Sequence, residues 1–234
     1  MTDTPEHKNP PAFNVPGTIV ILGGLLIGVH VVIELLSDEL YSRAIVLFSF
    51  IPVTYSLSAA ELYEPLSRFW SPLTYAFLHG DWTHLLVNCV WLLAFGSAVA
   101  RRFDSARFVV FMVAGALAGA AFHYVFHPNG GVPVIGASGA ISACMGAAIR
   151  FAITPGGVSP DISNAPALSL MSSLKNRSIM TFVVIWFAIN WLFGTGFLTL
   201  GDAGIAWEAH MGGFLLGWLG FSIFDRKNKL DHSG

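Results

Sequence analysis

The sequence places a serine and a histidine inside two separate apolar segments. Polar side chains are unfavourable there unless they form hydrogen bonds, and those that occur often belong to a functional site. Ser138 stands in the tetrapeptide Gly136–Gly139 at the start of one apolar segment, and His210 stands near the start of another. An imidazole that takes the proton of a serine hydroxyl turns that hydroxyl into an effective nucleophile. If the fold brings the two side chains together, they have the chemistry of a serine hydrolase.

The composition indicates a polytopic membrane protein. The chain has 234 residues, of which 54% are hydrophobic and 11% are charged, whereas a typical soluble domain has about 25% charged residues. The formal net charge is −2 and there is no basic patch, so we expect no nucleic-acid partner. Cys89 and Cys144 both fall in apolar segments, which argues against a disulfide framework. No motif indicates a metal or an organic cofactor, and we expect neither.

Six apolar segments are long enough, or nearly so, to cross the bilayer core of about 30 Å as helices. They cover residues 15–36, 82–99, 108–126, 138–153, 179–198 and 207–224. The predicted fold class is all-α, with a six-helix membrane domain over residues 15–226 between tails at 1–14 and 227–234. A long first loop covers about residues 37–78. It contains a seventh apolar run, 44–60, which Pro52 interrupts and which we place in the loop, in the membrane interface.

The distribution of lysine and arginine predicts the orientation of these spans. With the N-terminus in the cytoplasm, ten of these residues fall on the inner side and only Arg43 and Arg68 fall on the outer side. Cytoplasmic loops normally carry this excess. We therefore expect an even number of spans and both termini in the cytoplasm.

Small residues recur at every fourth position on three spans, and such rows let helix backbones approach closely in lipid. The rows are Ser138, Ser142 and Gly146 on the fourth span, Ala209, Gly213 and Gly217 on the sixth, and Gly115 and Gly119 on the third. We expect the fourth and sixth spans to pack along these rows, which would bring Ser138 within reach of His210.

Four polar side chains are predicted to share one depth in the membrane. We expect three arginines, Arg150, Arg101 and Arg226, to mark where spans meet the cytoplasmic interface. Heights counted from them at about 1.5 Å per residue run from about 18 Å for Ser138 to about 26 Å for His84. Asn88 and His210 fall between these limits, in the outer half of the bilayer. His84 and Asn88 are four residues apart and share a helix face.

Three motifs, in this order along the chain, resemble those of the rhomboid family of intramembrane serine proteases, from about Trp70 to the end of the sixth span. The motifs are Leu78-His79 with His84-x-x-x-Asn88, then Gly136-Ala137-Ser138-Gly139 with Gly146, then Ala209-His210-x-x-Gly213-x-x-x-Gly217. The resemblance implies a rhomboid-like bundle of six helices. It also implies a serine endopeptidase that cleaves transmembrane segments of other membrane proteins within the lipid bilayer.

The resemblance further implies residue roles. Ser138 would be the nucleophile and His210 its base, with His84, Asn88 and the backbone N–H of Ser138 stabilising the oxyanion. Gly136, Gly139, Gly146, Gly213 and Gly217 would support close packing.

We expect a multi-pass protein of a bacterial inner membrane, with cleavage near the outer boundary of the substrate's span and after a small residue. The oligomeric state is left open.

Two departures from the family pattern affect the neighbourhood of the site. Ser71 follows Trp70 where the family often has arginine, and Ser142 stands where some members have an aromatic residue that stacks on the histidine. The second departure leaves open what orients His210. Asp202 and Glu208 are predicted to be too exposed, and on the wrong face, to serve as a third member, so a Ser–His dyad is the expectation.

Other polar and aromatic residues have simpler interpretations. His30 and His123 lack the partners that His210 and His84 have, and we interpret them as structural or cavity-facing. We interpret His79 as a brace for the first loop and Asp81 as the N-cap of the second span. The fifth-span aromatics are interpreted as lipid-facing, although the resemblance also implies that this span and the loop 198–206 form a substrate gate; the aromatics are Trp186, Phe187, Trp191 and Phe193.

Two other functions remain open. One is a non-proteolytic rhomboid-like protein that binds membrane clients, although such relatives are expected to have lost the serine or the histidine. The other is a small-solute transporter, although the sequence has neither a broken helix nor an obvious inverted repeat.

Overall fold

A computed structural model describes residues 15–154, 157–158, 161–194 and 206–225. The described chain is almost entirely helical. The first helices are α1 (Gly17–Glu34), α2 (Asp38–Phe48), α3 (Ser67–Thr74), α4 (Trp82–Trp91), α5 (Ser97–Arg102) and α6 (Ser105–Phe126). They are followed by α7 (Ser138–Ala148), α8 (Leu170–Lys175), α9 (Arg177–Gly194) and α10 (Trp207–Phe224). Two short antiparallel strands, β1 (Ile153–Thr154) and β2 (Gly157–Val158), lie between α7 and α8.

Four of the described helices are long and apolar enough to cross a membrane: Gly17–Glu34, Trp82–Arg102, Ser105–Phe126 and Arg177–Gly194. The second of these is α4 and α5 joined through one π-helical turn, Leu92–Gly96. They correspond to the first, second, third and fifth predicted spans. The all-α membrane fold is confirmed, and the count of six spans stays a prediction that α7 and α10 would complete.

Helix α7 is shorter than its apolar sequence predicts. The predicted span ran from 138 to 153, but the helix ends at Ala148 and Ile153 belongs to β1. Eleven helical residues reach only about 17 Å, roughly half of the hydrocarbon core. All residues of α7 after Ser138 are buried, so this helix lies inside the bundle rather than against lipid.

Arg150 is buried in the protein, which the sequence did not predict, and its place at the level of the cytoplasmic interface stays a prediction. Its side chain is 2% exposed. Its guanidinium donates to the carbonyl oxygen of Leu168 at 2.8 and 3.0 Å and to that of Trp218 at 3.1 Å. Arg150 therefore joins the end of α7 to α10 and to the segment before α8, and the height of Ser138 counted from it stays a prediction.

Helices α7 and α10 pack backbone against backbone. A Cβ atom on Gly213 would meet the carbonyl oxygen of Gly139, one on Gly217 would meet that of Ala143, and one on Gly146 would meet that of Phe214. The α10 row, Gly213 and Gly217, is the predicted one. On α7 the contacting row is shifted by one residue from the predicted Ser138 and Ser142, since Gly139 and Ala143 make the closest approach.

The long first loop is folded rather than extended. It contains α2, α3 and short 3₁₀ turns at Pro52–Tyr55, Ala59–Glu61 and Tyr75–Phe77. The indole N–H of Trp70 donates to the carbonyl oxygen of Leu47 at 2.8 Å, which holds α3 against the end of α2. Phe50 and Val134 exchange backbone hydrogen bonds of 3.0 and 2.8 Å, which join the loop to the segment that enters α7.

The aromatic residues of α9 divide into two groups. Trp186 and Phe187 pack on Phe214 of α10, with ring centroids 4.6 and 5.5 Å away, so these two are not the lipid-facing residues that the sequence predicted. Trp191 and Phe193 are exposed, as predicted. Asp202, most of the loop 198–206, Arg226 and both predicted tails lie outside the described residues.

Candidate active site

Ser138 is the first residue of α7, and the segment before it is shaped by Gly136. Gly136 has a φ of +119°, a conformation that residues with side chains rarely adopt, and its N–H donates to the carbonyl oxygen of Tyr75 at 2.9 Å. The first N–H groups of a helix have no acceptor within the helix and carry partial positive charge. The half-buried Ser138 therefore combines a hydroxyl with free backbone donors beside it.

His210 links Ser138 to a third polar residue. Its Nε2 atom lies 2.7 Å from the Oγ atom of Ser138, and its Nδ1 atom lies 2.6 Å from the Oδ1 atom of Asn190 on α9. The amide nitrogen of Asn190 donates to the carbonyl oxygen of Trp186 at 2.8 Å, which leaves Oδ1 as the acceptor. His210 therefore carries its proton on Nδ1 and presents an unprotonated Nε2 to the serine hydroxyl.

Asn190 was not predicted from the sequence. The Ser–His dyad stays a prediction, to which the structure adds a hydrogen bond between His210 and Asn190 of α9. A signal was present, since Asn190 is a polar residue in an otherwise apolar span and such residues usually face the bundle interior. What the sequence could not supply was the packing of α9 on α10 that brings this amide to His210.

His84 lies against the Gly136 turn. Its Nε2 and Cε1 atoms are 2.8 and 2.9 Å from where a Cβ atom of Gly136 would stand, and that position is 3.6 Å from Ser138 Oγ. Asp81 caps α4 as predicted by accepting the N–H of His84 at 2.8 Å. The N–H of Gly80 donates to His84 Nδ1 at 3.4 Å, which leaves the proton on Nε2, the nitrogen directed at this turn.

Asn88 lies one turn after His84 on the same face of α4 and is buried, at 3% exposure. Its amide nitrogen donates to the carbonyl oxygen of His84 at 2.9 Å. Among the described residues, this bond to its own helix is the one that Asn88 makes, and it does not contact Ser138 directly. The amide keeps a second N–H, which a substrate oxyanion could accept.

Glu208 is buried, at 5% exposure, so the prediction that it is too exposed is wrong, whereas the prediction that it lies on the wrong face to serve His210 agrees with its partners. Its carboxylate oxygens face His123 Nδ1 at 3.2 Å and His127 Nε2 at 2.8 Å, and not His210. The interpretation that His123 lacks partners is also wrong. These three residues form a second polar cluster at the end of α6 and the start of α10.

Three imidazoles line the region beside α4. The rings of His30 and His79 lie 6.5 Å apart, and those of His79 and His84 lie 5.1 Å apart. His79 stands in the short segment before α4, and burial together with the neighbouring His84 lowers its pKa to about 4, so it is neutral near pH 7. His30 is 1% exposed and packs edge-on against Trp82, which fits a structural role.

Comparisons with known proteins indicate the family of this chain. The model of the Rhomboid domain family matches residues 66–226. The chain is 31% identical over 151 residues to the Rhomboid protease GluP of Bacillus subtilis strain 168, which covers 64% of this chain and 25% of the relative. It is 28% identical over 165 residues to the Rhomboid protease GlpG of Enterobacter sp. strain 638, covering 69% and 51%.

A plant relative shows the same partial coverage. RHOMBOID-like protein 5 of Arabidopsis thaliana is 29% identical over 179 residues, covering 75% of this chain and 51% of the relative. The chain thus spans between a quarter and about half of the length of these curated relatives. The family match extends from the end of the first loop through α10 and includes every helix that carries Ser138, His210, His84 or Asn88, so this integral membrane protein belongs to the rhomboid domain family.

Proposed function

We propose that this protein is an intramembrane serine endopeptidase, in which Ser138 is the nucleophile, His210 the base and Asn190 the residue that orients His210. One observation carries the proposal: the 2.7 Å hydrogen bond between Ser138 Oγ and His210 Nε2, in a chain of the rhomboid domain family. The names of two bacterial relatives, both rhomboid proteases, point to the same activity.

The hydrolysis follows from the proton positions. His210 Nε2 takes the proton of Ser138 as Oγ attacks the carbonyl carbon of the peptide bond, and the tetrahedral intermediate places negative charge on the former carbonyl oxygen. The imidazolium then gives its proton to the leaving nitrogen as the C–N bond breaks, which leaves an ester on Ser138. Water, deprotonated by His210, cleaves the ester, releases the carboxylate and restores the serine hydroxyl.

Asn190 acts on this cycle through His210. By accepting the Nδ1 proton it holds the imidazole in the tautomer that has a free Nε2, and its dipole stabilises the imidazolium that forms. An asparagine in this position carries no charge, so the site contains no uncompensated carboxylate inside the membrane domain.

The oxyanion would be stabilised by donors around the start of α7. We assign this role to the backbone N–H of Ser138, the Nε2–H of His84 and the second amide N–H of Asn88. Donors that are already in place when the charge develops lower the barrier, and removing one typically slows the reaction about 100- to 1,000-fold.

The proposed substrates are transmembrane segments of other membrane proteins. A helix in lipid hides its peptide bonds in hydrogen-bonded turns, so the segment has to unwind locally before Ser138 can reach a carbonyl. We propose cleavage after a small residue near the outer boundary of the substrate's span. The lysine and arginine distribution supports the corresponding orientation, with both termini cytoplasmic in a bacterial inner membrane.

Labelling with a fluorophosphonate, which reacts with activated serines, tests the nucleophile. We expect the detergent-purified protein to be labelled and the Ser138→Ala and His210→Ala variants not to be. Ser142→Ala is the matched control, because Ser142 lies one turn along the same helix and is buried. Labelling and cleavage of a transmembrane substrate that persist in Ser138→Ala would disprove the assignment, and a well-folded wild type that neither labels nor cleaves would favour the client-binding alternative.

A further inference from the structure

A second polar cluster lies where α6 ends and α10 begins. It consists of His123 and His127, four residues apart at the end of α6, and Glu208 in the first turn of α10. One ligand atom from each residue lies within 4.8 Å of the others. The proposed hydrolysis does not use any of the three.

The donor set is that of a first-row divalent cation. Two imidazole nitrogens and one carboxylate are typical ligands of Zn²⁺, which binds nitrogen and oxygen at about 2.0–2.2 Å in a tetrahedral arrangement. Ligands at that distance lie roughly 3.3 Å from one another. His123 Nδ1 lies 3.2 Å from Oε2 of Glu208, and His127 Nε2 lies 2.8 Å from Oε1, so each imidazole is near this separation from one of the two carboxylate oxygens.

The surroundings fit a cation as well. Glu208 is 93% shielded at its side chain, whereas the side chain of His127 is 49% exposed, so the cluster has a buried anionic ligand and an open side for entry. The rings of His123 and His127 lie 4.9 Å apart and turn towards the same carboxylate. A cation would find two imidazole nitrogens and one carboxylate, with a fourth position left for water or another ligand.

We propose that His123, His127 and Glu208 bind one Zn²⁺ ion, which ties the end of α6 to the start of α10 two residues before His210. On binding, each imidazole offers the nitrogen that faces the carboxylate as a lone-pair donor and carries its proton on the other nitrogen. The site is independent of the proposed protease activity. The sequence predicted no metal site. Glu208 is separated from His127 by 81 positions and from His123 by 85, and a hydropathy pattern does not show which distant residues pack together.

Cobalt absorption tests the site directly. The protein, purified with a tag that contains no histidine and stripped with a chelator, is titrated with Co²⁺ and then with Zn²⁺. We expect one equivalent of Co²⁺ to give the visible absorption of a four-coordinate nitrogen–oxygen site, and Zn²⁺ to abolish it. Glu208→Gln and His127→Gln should each weaken binding more than about 100-fold, since losing a ligand exceeds the usual effect of losing a ligand's support.

Matched controls and a second measurement separate binding from folding. His7→Gln and His232→Gln remove histidines from the two tails and should leave the titration unchanged. Zn²⁺ at about 100 times its Kd should raise the Tm of the wild type by about 5–10 °C and leave the Tm of a folded His127→Gln variant where it is. The proposal is overturned if the wild type shows neither the absorption nor the Tm shift, or if both survive in Glu208→Gln and His127→Gln.

Discussion

Asn190 shows how much a single amide can contribute when it lies inside a membrane domain. Water is scarce there, so an imidazole without a fixed partner would sample several orientations and both tautomers. The 2.6 Å contact with Asn190 restricts His210 to one of each. A hydrogen bond of this kind positions the imidazole and does not bind the substrate, so its loss should lower kcat more than it changes KM.

Replacing Asn190 with alanine should lower kcat about 10- to 100-fold and change KM little, because the substitution would disorder the proposed base, His210, without touching the substrate. The measurement is steady-state cleavage of a transmembrane substrate in liposomes. Ile189→Ala is the control, since Ile189 is adjacent on α9 and exposed. A change confined to KM would assign Asn190 to substrate binding instead.

Gly136 offers a second test at the residue scale. In Gly136→Ala the new methyl group would stand 2.8 Å from His84 Nε2, on a backbone with a φ of +119°, so the turn or the ring has to move. We expect turnover to fall at least about 100-fold, in line with the loss of an oxyanion donor. Gly131→Ala is the control, because no atom lies within 4 Å of its Cβ position. Normal turnover in Gly136→Ala would show that His84 does not need this contact.

The motifs around Ser138, His210, His84 and Gly136 could be found from the sequence because each motif is local. Within one helix or turn, the spacing of residues along the chain decides which of them lie side by side. Asn190 and Glu208 could not be placed in the same way. Their partners lie 20 and more than 80 residues away, and only helix packing decides which side of α9 or α10 meets which neighbour.

At the scale of elements, apolar sequence proved a poor measure of where α7 ends. Residues 149–153 are apolar except for Arg150, yet they lie outside the helix, and the Arg150 guanidinium donates to carbonyl oxygens inside the protein. Hydropathy reports burial, and it cannot tell burial in protein from burial in lipid. The long spans α1, α6 and α9 were predictable since lipid contact demands an unbroken apolar helix.

The contact between α7 and α10 can be tested with a matched pair of glycines on one helix. Gly213→Ala would press a methyl group into the carbonyl of Gly139, where backbone cannot yield easily, and Gly220→Ala meets only the Leu216 side chain at 4.0 Å. We expect Gly213→Ala to lose about 1–3 kcal/mol of stability or more and Gly220→Ala to be nearly neutral. Thermal unfolding in detergent measures both. Equal stability of the two variants would mean that the helices separate readily.

The segment before α4 should make the protein sensitive to acid. The folded chain holds the pKa of His79 at about 4, whereas an unfolded histidine titrates near 6.5, so between these values only the unfolded chain binds the proton. The contribution of neutral His79 is complete above about pH 6.5 and is lost as the pH falls towards 4. We expect Tm to fall over this range less steeply in His79→Gln than in the wild type. Parallel curves would show that His79 becomes protonated without cost in the folded protein.

At the scale of the whole molecule, orientation is the prediction with the widest consequences. Reporter fusions after Arg102 and after Lys175 should report the cytoplasm, because the lysine and arginine excess lies on that side. A fusion near Asn129 should report the outside. A cytoplasmic signal at Asn129 would reverse the direction in which Ser138 and the proposed metal site face.

The backbone contact between α7 and α10 also has a bearing on the lipids in which the protein can work. Main-chain atoms rather than side-chain rotamers set the spacing of the two helices, so the distance between them cannot adjust through side-chain rearrangement. A bilayer that is too thick or too thin can tilt the whole bundle or deform around it, but it cannot slide one helix along the other without driving a carbonyl into a glycine. We therefore expect the chemical step to be nearly constant across membranes of different thickness, with lipid acting on substrate access alone.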